Sequence, residues 1–156
     1  SSGIDQEKVQ PSYPEDSDKQ PLEKPSDTEE NLSSSTQEVV DLVNEARNEA
    51  GLEPLVVDAA LTEAANIRAT EIAQSFSHTR PDGSSCFTVL DEVGISYHYA
   101  AENIAMGQSS PSKVMDAWLN SSGHRANILS EQAGKIGVGI YTDVFGSIHW
   151  VQLFQD

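Results

Sequence analysis

Two loop histidines and one strand glutamate are the residues of this chain whose types and positions could carry out chemistry. His78 and His124 each lie in a polar segment beside a predicted helix end, and Glu102 interrupts the otherwise apolar strand at 100–105. A buried carboxylate is costly unless it is paired, hydrogen-bonded or facing a cavity. Two imidazoles and one carboxylate match a divalent metal site with an open position. The alternative is a buried Glu–His hydrogen-bonded pair that only fixes the loops.

A second set of residues gives weaker signals. Ser77, Ser121 and Ser122 lie beside the loop histidines, so a Ser–His–Glu hydrolase stays open. The sequence contains no His-Glu-x-x-His motif, no Gly-x-Ser-x-Gly elbow and no glycine-rich phosphate loop. His149 alternates within a predicted strand and is interpreted as structural, whereas His98 is predicted to lie at the surface.

The charge of the chain excludes two classes of partner. Its 156 residues include 25 acidic and 9 basic side chains, which give a formal net charge of −16. Nucleic acids and anionic membranes are bound by clustered Lys and Arg, so neither partner is expected. No apolar run approaches the roughly 18 residues of a membrane span. The single cysteine, Cys86, can form neither an intramolecular disulfide nor a multi-cysteine metal site, and we interpret it as a small core residue.

The composition divides the chain into two parts. Residues 1–35 are acidic, rich in Pro and Ser, and poor in apolar side chains. Such a segment cannot offset the entropy that a packed structure costs. We therefore predict a disordered acidic tether over residues 1–35 and a folded domain over residues 36–156. The tether is either a spacer that holds the domain away from a membrane or wall, or a solvated leader with no specific partner.

Helix signals dominate the first part of the folded domain. A capping box at 35–38 predicts the start of the first helix, and Asp58 is a good N-cap for the second. Residues 85–93, which include the cysteine, are predicted to form a short third helix. Ser110, which precedes a proline, predicts the start of a fourth helix, and Gly123 is predicted to break it.

Strand signals dominate the last part of the domain. Alternating apolar residues over 135–141 and 147–154, with turn residues at 143–146, predict an antiparallel hairpin. Residues 101–106 are the best candidate for another strand. Helices first and strands late are typical of an α+β fold, with the helices packed on an antiparallel sheet.

Eight sequence blocks, found in order over about 120 residues, resemble the CAP superfamily of cysteine-rich secretory proteins, venom antigens and pathogenesis-related plant proteins. They are VNEAR (43–47), GLEPL (51–55), DAAL (58–61), SH (77–78), AENIA (101–105), AWLNSSGHRANIL (117–129), IGVG (136–139) and HWVQLF (149–154). The residues of the GHRANIL segment, and a single cysteine that allows no intramolecular disulfide, resemble the bacterial, SCP-like extracellular branch of the superfamily.

The resemblance implies a three-layer α-β-α sandwich with a central antiparallel sheet, secretion, and a cleft lined by two histidines and two acids. His78, Glu102 and His124 match three of those four positions. In many eukaryotic members the other acid follows the tryptophan by three residues, where this chain has Ser121. The complete tetrad is therefore absent by direct matching. Two imidazoles and one carboxylate still suffice for a loose divalent site, so we predict that His78 and His124 could bind Zn, Ca or Mg.

Three functions follow from these residues and from the resemblance. The first is a secreted binding module whose cleft or surface holds an extracellular ligand, lipid, metal or protein. The second is a metal-dependent or Glu/His-dependent hydrolase acting on peptide or cell-wall material, with Glu102 as general base. The third is an interaction domain with a vestigial cleft. The sequence favours a binding function, because no motif indicates a paired nucleophile and base. We expect a monomer that is secreted or attached to the cell envelope.

Overall fold

The described part of the chain folds into five helices and four strands. The structure is a computed structural model that describes residues 29–156, with side chains from Ser33 onward. In chain order the elements are α1 (Glu29–Glu49), β1 (Val56–Val57), α2 (Ala59–Gln74), α3 (Thr88–Glu92), β2 (Ala100–Met106), α4 (Pro111–Leu119), α5 (Ser122–Ile128), β3 (Lys135–Thr142) and β4 (Ile148–Gln155). None of the helices in this range is both long and apolar enough to cross a membrane.

The strands form one sheet in the order β1-β3-β4-β2. Both β3 and β2 pair antiparallel with β4, which confirms the predicted hairpin and the predicted strand at 101–106. β1 adds a two-residue parallel pairing with β3, through Val56 and Val57, so the sheet is not wholly antiparallel. Among the described strands, β2 forms the opposite edge of the sheet.

Helices cover both faces of the sheet, which confirms the predicted three-layer sandwich. On one face α1, α4 and α5 bury a cluster that includes Val43, Trp118, Ile128, Trp150 and Phe154. On the other face α2 and α3 bury a cluster that includes Leu61, Ile72, Leu90, Val151 and Leu153. The two faces alternate along each strand, because successive side chains of a strand point to opposite sides.

Cap contacts confirm two of the predicted helix starts. The Oδ2 atom of Asp58 accepts the backbone N–H of Leu61 at 3.0 Å, so this aspartate caps α2. Ser110 Oγ accepts the backbone N–H of Lys113 at 3.2 Å, with Pro111 as the first residue of α4. Each contact satisfies a backbone donor that the first turn of a helix leaves free.

The predicted start of the first helix is wrong. α1 begins at Glu29, not at the box 35–38. Thr36 lies inside the helix and its hydroxyl donates to the carbonyl of Ser33 at 3.0 Å, so it caps nothing. Most of the predicted tether, residues 1–28, lies outside the described residues.

Two predictions for the middle of the chain are also corrected. Gly123 lies inside α5, and the break comes earlier, because Ser121 takes an extended conformation with φ −111° and ψ 124°. Cys86 precedes α3 instead of lying within it. Its backbone N–H donates to the carbonyl of His78 at 3.0 Å, which ties it to the preceding loop.

The packing of α2 on β3 depends on two glycines. A Cβ atom at Gly137 would collide with the backbone of Leu61, and one at Gly139 would collide with the backbone of Ala65. The helix therefore lies against the strand at backbone contact distance. This close approach sets the height above the sheet of the next buried turn of α2, which carries Arg68.

Candidate functional site

The three residues predicted to form the site lie around the edge strand β2. Glu102 is in the middle of this strand, fully buried, and points towards α2. His78 is in the loop after α2, on the same side of the sheet, and its side chain is 15% exposed. His124 is in α5, which packs on the opposite face, and is 6% exposed. The prediction of an inward-facing glutamate is confirmed.

Glu102 is held by ionic hydrogen bonds on both of its carboxylate oxygens. Arg68 Nε donates to Oε2 at 2.6 Å and Arg68 Nη2 donates to Oε1 at 3.1 Å. His78 Nδ1 lies 2.8 Å from Oε1. Burial raises the pKa of Glu102, but the hydrogen bond from His78 and the charge of Arg68 outweigh it, so the net pKa is lowered. The carboxylate is therefore ionised at neutral pH and acts only as an acceptor, so Nδ1 of His78 donates to it.

Arg68 is a central residue of the site that the sequence analysis missed. Besides Glu102, it binds Glu71 Oε1 at 2.9 Å and the carbonyl of Ser77 at 2.7 Å. Glu71 in turn binds Arg80 at 2.7 Å, and Arg80 binds Glu92 at 2.8 Å. This row of alternating charges fastens the loop that carries His78 to α2.

Two imidazole nitrogens of the site are buried and have no hydrogen-bond partner among the residues that the structure describes. They are Nε2 of His78 and Nδ1 of His124. Burial, and in second place the neighbouring His78, lower the pKa of His124 from 6.5 to about 4. His124 is therefore neutral at physiological pH, and a nitrogen that carries no proton offers a lone pair. The two rings are close enough for the charge of His78 to contribute to the lowered pKa of His124.

Cys86 lies close to His78 and Glu102. Among the described residues, the ligand atoms of His78, Cys86 and Glu102 lie within 4.8 Å of one another, and His124 is not part of that group. Burial raises the pKa of the Cys86 thiol, and the negative charge of Glu102 raises it further. The thiol is therefore protonated at neutral pH. Cys86 is buried as predicted, but it borders a charged cluster as well as the core.

Ser121, which precedes the helix that carries His124, and the other two histidines are the remaining candidate residues. Ser121 is the N-cap residue of α5, half-buried, and its hydroxyl makes no capping bond. His98 is 98% exposed, as predicted. His149 is buried in β4, and its Nε2 lies 3.0 Å from Asp143 Oδ2 in the hairpin turn, which supports the structural role predicted for it.

Helices on both faces of a four-stranded sheet, with a buried Arg–Glu–His cluster at one edge strand, define a three-layer α-β-α domain. The sequence profile of the CAP domain, described as the cysteine-rich secretory protein family, matches residues 40–154. The chain belongs to this family.

Comparisons with individual proteins agree with this assignment. The Bacillus subtilis (strain 168) protein YkwD, described as uncharacterized, is 41% identical over 125 residues, which are 79% of this chain and 48% of YkwD. The crystal structure of an extracellular protein containing an SCP domain from Bacillus anthracis matches with a TM-score of 0.74 and 28% identity, over 85% of this chain and 45% of that chain. An outer surface protein from Borrelia burgdorferi has the same fold, with a TM-score of 0.73 and 23% identity, over 84% of this chain and 96% of that chain. The chain thus spans about half the length of the two Bacillus proteins.

Proposed function

We propose that this domain is an extracellular binding module whose cleft, formed by His78, Glu102, His124 and Ser121, holds a divalent cation through His78 and His124. The observation that carries the proposal is the pair of buried imidazole nitrogens without partners. A buried polar atom without a partner costs roughly 1–3 kcal/mol. A cation that accepts both lone pairs would satisfy both atoms at once.

The donor set favours zinc among the ions considered. Imidazole nitrogen is a common zinc ligand, whereas calcium and magnesium prefer oxygen. Glu102 is already bonded by Arg68 and His78, so we assign it to the support of His78 and not to direct coordination. A carboxylate behind a ligating histidine fixes the tautomer and the orientation of the ring. Bound there, the ion would supply open coordination positions for an exogenous ligand. Ser121, which lies three residues before His124 in the sequence, completes the proposed cleft.

Secretion or attachment to the cell envelope is part of this proposal. Its support is that the Bacillus anthracis protein with the same domain is described as extracellular. The strongly acidic charge of the chain disfavours nucleic acid as the partner, so an extracellular ligand, lipid or protein is proposed.

A hydrolase is the second candidate, and one observation favours it. Glu102 binds one nitrogen of His78, and the other nitrogen, Nε2, has no hydrogen-bond partner among the described residues. This arrangement resembles the pairs that activate a water or hydroxyl nucleophile. The lowered pKa of Glu102 makes this carboxylate a poor general base, so the role would pass to His78. Under this alternative, peptide and peptidoglycan substrate screens should reveal an activity that His78→Gln abolishes.

Calorimetric titration of the metal-free chain with Zn²⁺, Ca²⁺ and Mg²⁺ tests the binding proposal. We expect one zinc ion per chain and weaker or absent binding of the other two ions. The His78→Ala/His124→Ala variant should lose this binding. His98→Ala is the matched control, because it removes an exposed imidazole and should leave the titration unchanged. Absence of zinc binding in the wild type, or equal binding in the double variant, would overturn the proposal and leave the cleft vestigial.

A further inference from the structure

We infer that Asn103 is a positioning residue for His124, so that two consecutive residues of β2 hold the two imidazoles from opposite faces of the sheet. Glu102 points towards α2 and binds His78. Asn103, the next residue, points to the other face, where it binds the backbone of His124. The inference rests on the proposed function, because it assigns His124 a ligand to hold.

The side-chain amide of Asn103 forms hydrogen bonds with three different partners. Its Nδ2 donates to the carbonyl of His124 at 3.1 Å and to Gln152 Oε1 at 3.0 Å. Its Oδ1 accepts from Asn127 Nδ2 at 2.9 Å. Asn103 and Gln152 are fully buried and Asn127 is 5% exposed, so water does not replace these bonds. The reverse orientation of the amide would point its oxygen at two other oxygens, so the network admits one arrangement.

This network matters because α5 is short. A helix of seven residues has little stability of its own and takes its position from tertiary contacts. Arg47 holds the C-terminal end, where Nη1 donates to the carbonyl of Ile128 at 2.9 Å. Asn103 holds the turn that carries the imidazole. With the Asn103 bond removed, the turn that carries His124 would lose this bond to β2, whereas Asn127 would keep its own bond to the carbonyl of Glu102.

The chemistry of the position favours asparagine over residues of similar size. Aspartate offers no donor to the carbonyl of His124 or to Gln152, and leucine leaves all three partners unpaired. An apolar residue would otherwise suit this strand, whose neighbours Ala101 and Ala105 belong to the hydrophobic cluster on the same face. A buried amide at this position is therefore better explained by what it binds than by burial of apolar surface.

The test compares Asn103→Ala with the wild type in two measurements on the full chain. Zinc affinity is measured by calorimetry, and the imidazole nitrogens of each histidine are followed by NMR in the metal-free protein. Changes in residues that support metal ligands weaken affinity by about 10-fold to 100-fold, and we expect a loss in that range. The imidazole signals of His124 should shift or broaden, and those of His78 should not.

Two further variants separate positioning from loss of stability. Val43→Ala removes buried apolar volume from the same layer without touching the network, and it should lower the melting temperature while leaving zinc affinity unchanged. Asn103→Ser replaces Asn103→Ala if the latter does not fold. Wild-type affinity together with unchanged His124 signals in the Asn103 variant would overturn the inference, as would an equal loss of affinity in Val43→Ala. If the wild type binds no zinc, the proposed function fails, and the His124 signals alone decide whether Asn103 positions this ring.

Discussion

Arg68 Nε lies 2.6 Å from Glu102 Oε2, and both side chains are completely buried. The guanidinium joins the middle of α2 to the middle of the edge strand and neutralises a carboxylate that would otherwise be unpaired in the interior. Through the same carboxylate it acts on His78, since Glu102 Oε1 accepts from both residues. The orientation of the His78 imidazole thus depends on an arginine that binds the same carboxylate.

Arg68→Met is expected to destabilise the protein strongly. The methionine fills most of the volume of the arginine but leaves the Glu102 carboxylate buried without its cation, which typically costs about 3–5 kcal/mol. Urea unfolding at pH 7 measures the loss. Adding Glu102→Gln to Arg68→Met removes the uncompensated charge and should restore part of the stability. A loss below about 1 kcal/mol in Arg68→Met would contradict the ionic role assigned here.

The difference between Glu102 and Arg68 shows what the sequence can reveal about the site. Glu102 is visible because a charged residue in an apolar strand is unusual and needs a reason. Arg68 lies in a helix where charges are ordinary, and its partner is 34 residues away. One signal could have found it, since Arg68 falls seven residues after Leu61 and four before Ile72, on the buried face of α2.

The fold was predictable wherever a local pattern was long enough. β3 and β4 extend over eight residues each and their alternation predicts them, whereas β2 is a mostly apolar segment of seven residues. β1 consists of two exposed valines and exists only because it pairs with β3, nearly 80 residues later. No local pattern encodes such a pairing. The prediction for the start of α1 was wrong for a related reason. The box at 35–38 would cap a helix that began at this point, but α1 begins at Glu29 and continues through it.

The burial of His124 predicts that the stability of the metal-free protein falls in mild acid. The unfolded chain binds a proton on this residue near pH 6.5, whereas the folded protein binds it only near pH 4. Between these pH values the unfolded state holds more protons, so stability rises with pH and is lost as pH falls. Moving from pH 7 to pH 5 should cost about 2 kcal/mol from His124. The lowered pKa of His149 acts in the same direction.

Urea unfolding in EDTA at pH 7 and pH 5 measures this dependence. His124→Gln should reduce the difference between the two pH values, and His149→Gln should reduce it by a separate amount. His98→Gln is the control, because it changes an exposed ring and should leave the difference as it is in the wild type. An unchanged difference in His124→Gln would mean that this imidazole is not held neutral by burial.

Cys86 is expected to be unreactive in the folded protein. Its side chain is fully buried, and burial together with Glu102 raises the pKa of the thiol, so neither access nor the thiolate is available. Ellman's reagent at pH 8 should label no cysteine in the native chain and one per chain in urea. Native labelling within minutes would show that the loop between His78 and α3 opens readily.

Gly139→Ala should destabilise the protein, although alanine normally loses less entropy on folding than glycine. The added Cβ would collide with the carbonyl group of Ala65, so α2 must move away from β3. Overpacking of this kind typically costs about 1–3 kcal/mol, and occasionally more. Gly134→Ala is the matched control, because its Cβ would lie 3.6 Å from its nearest neighbour, an ordinary contact. Thermal unfolding should therefore separate the two variants, with a lowered melting temperature for Gly139→Ala alone. Because Arg68 is on the helix that must move, zinc affinity should fall with stability in Gly139→Ala and stay at the wild-type value in Gly134→Ala.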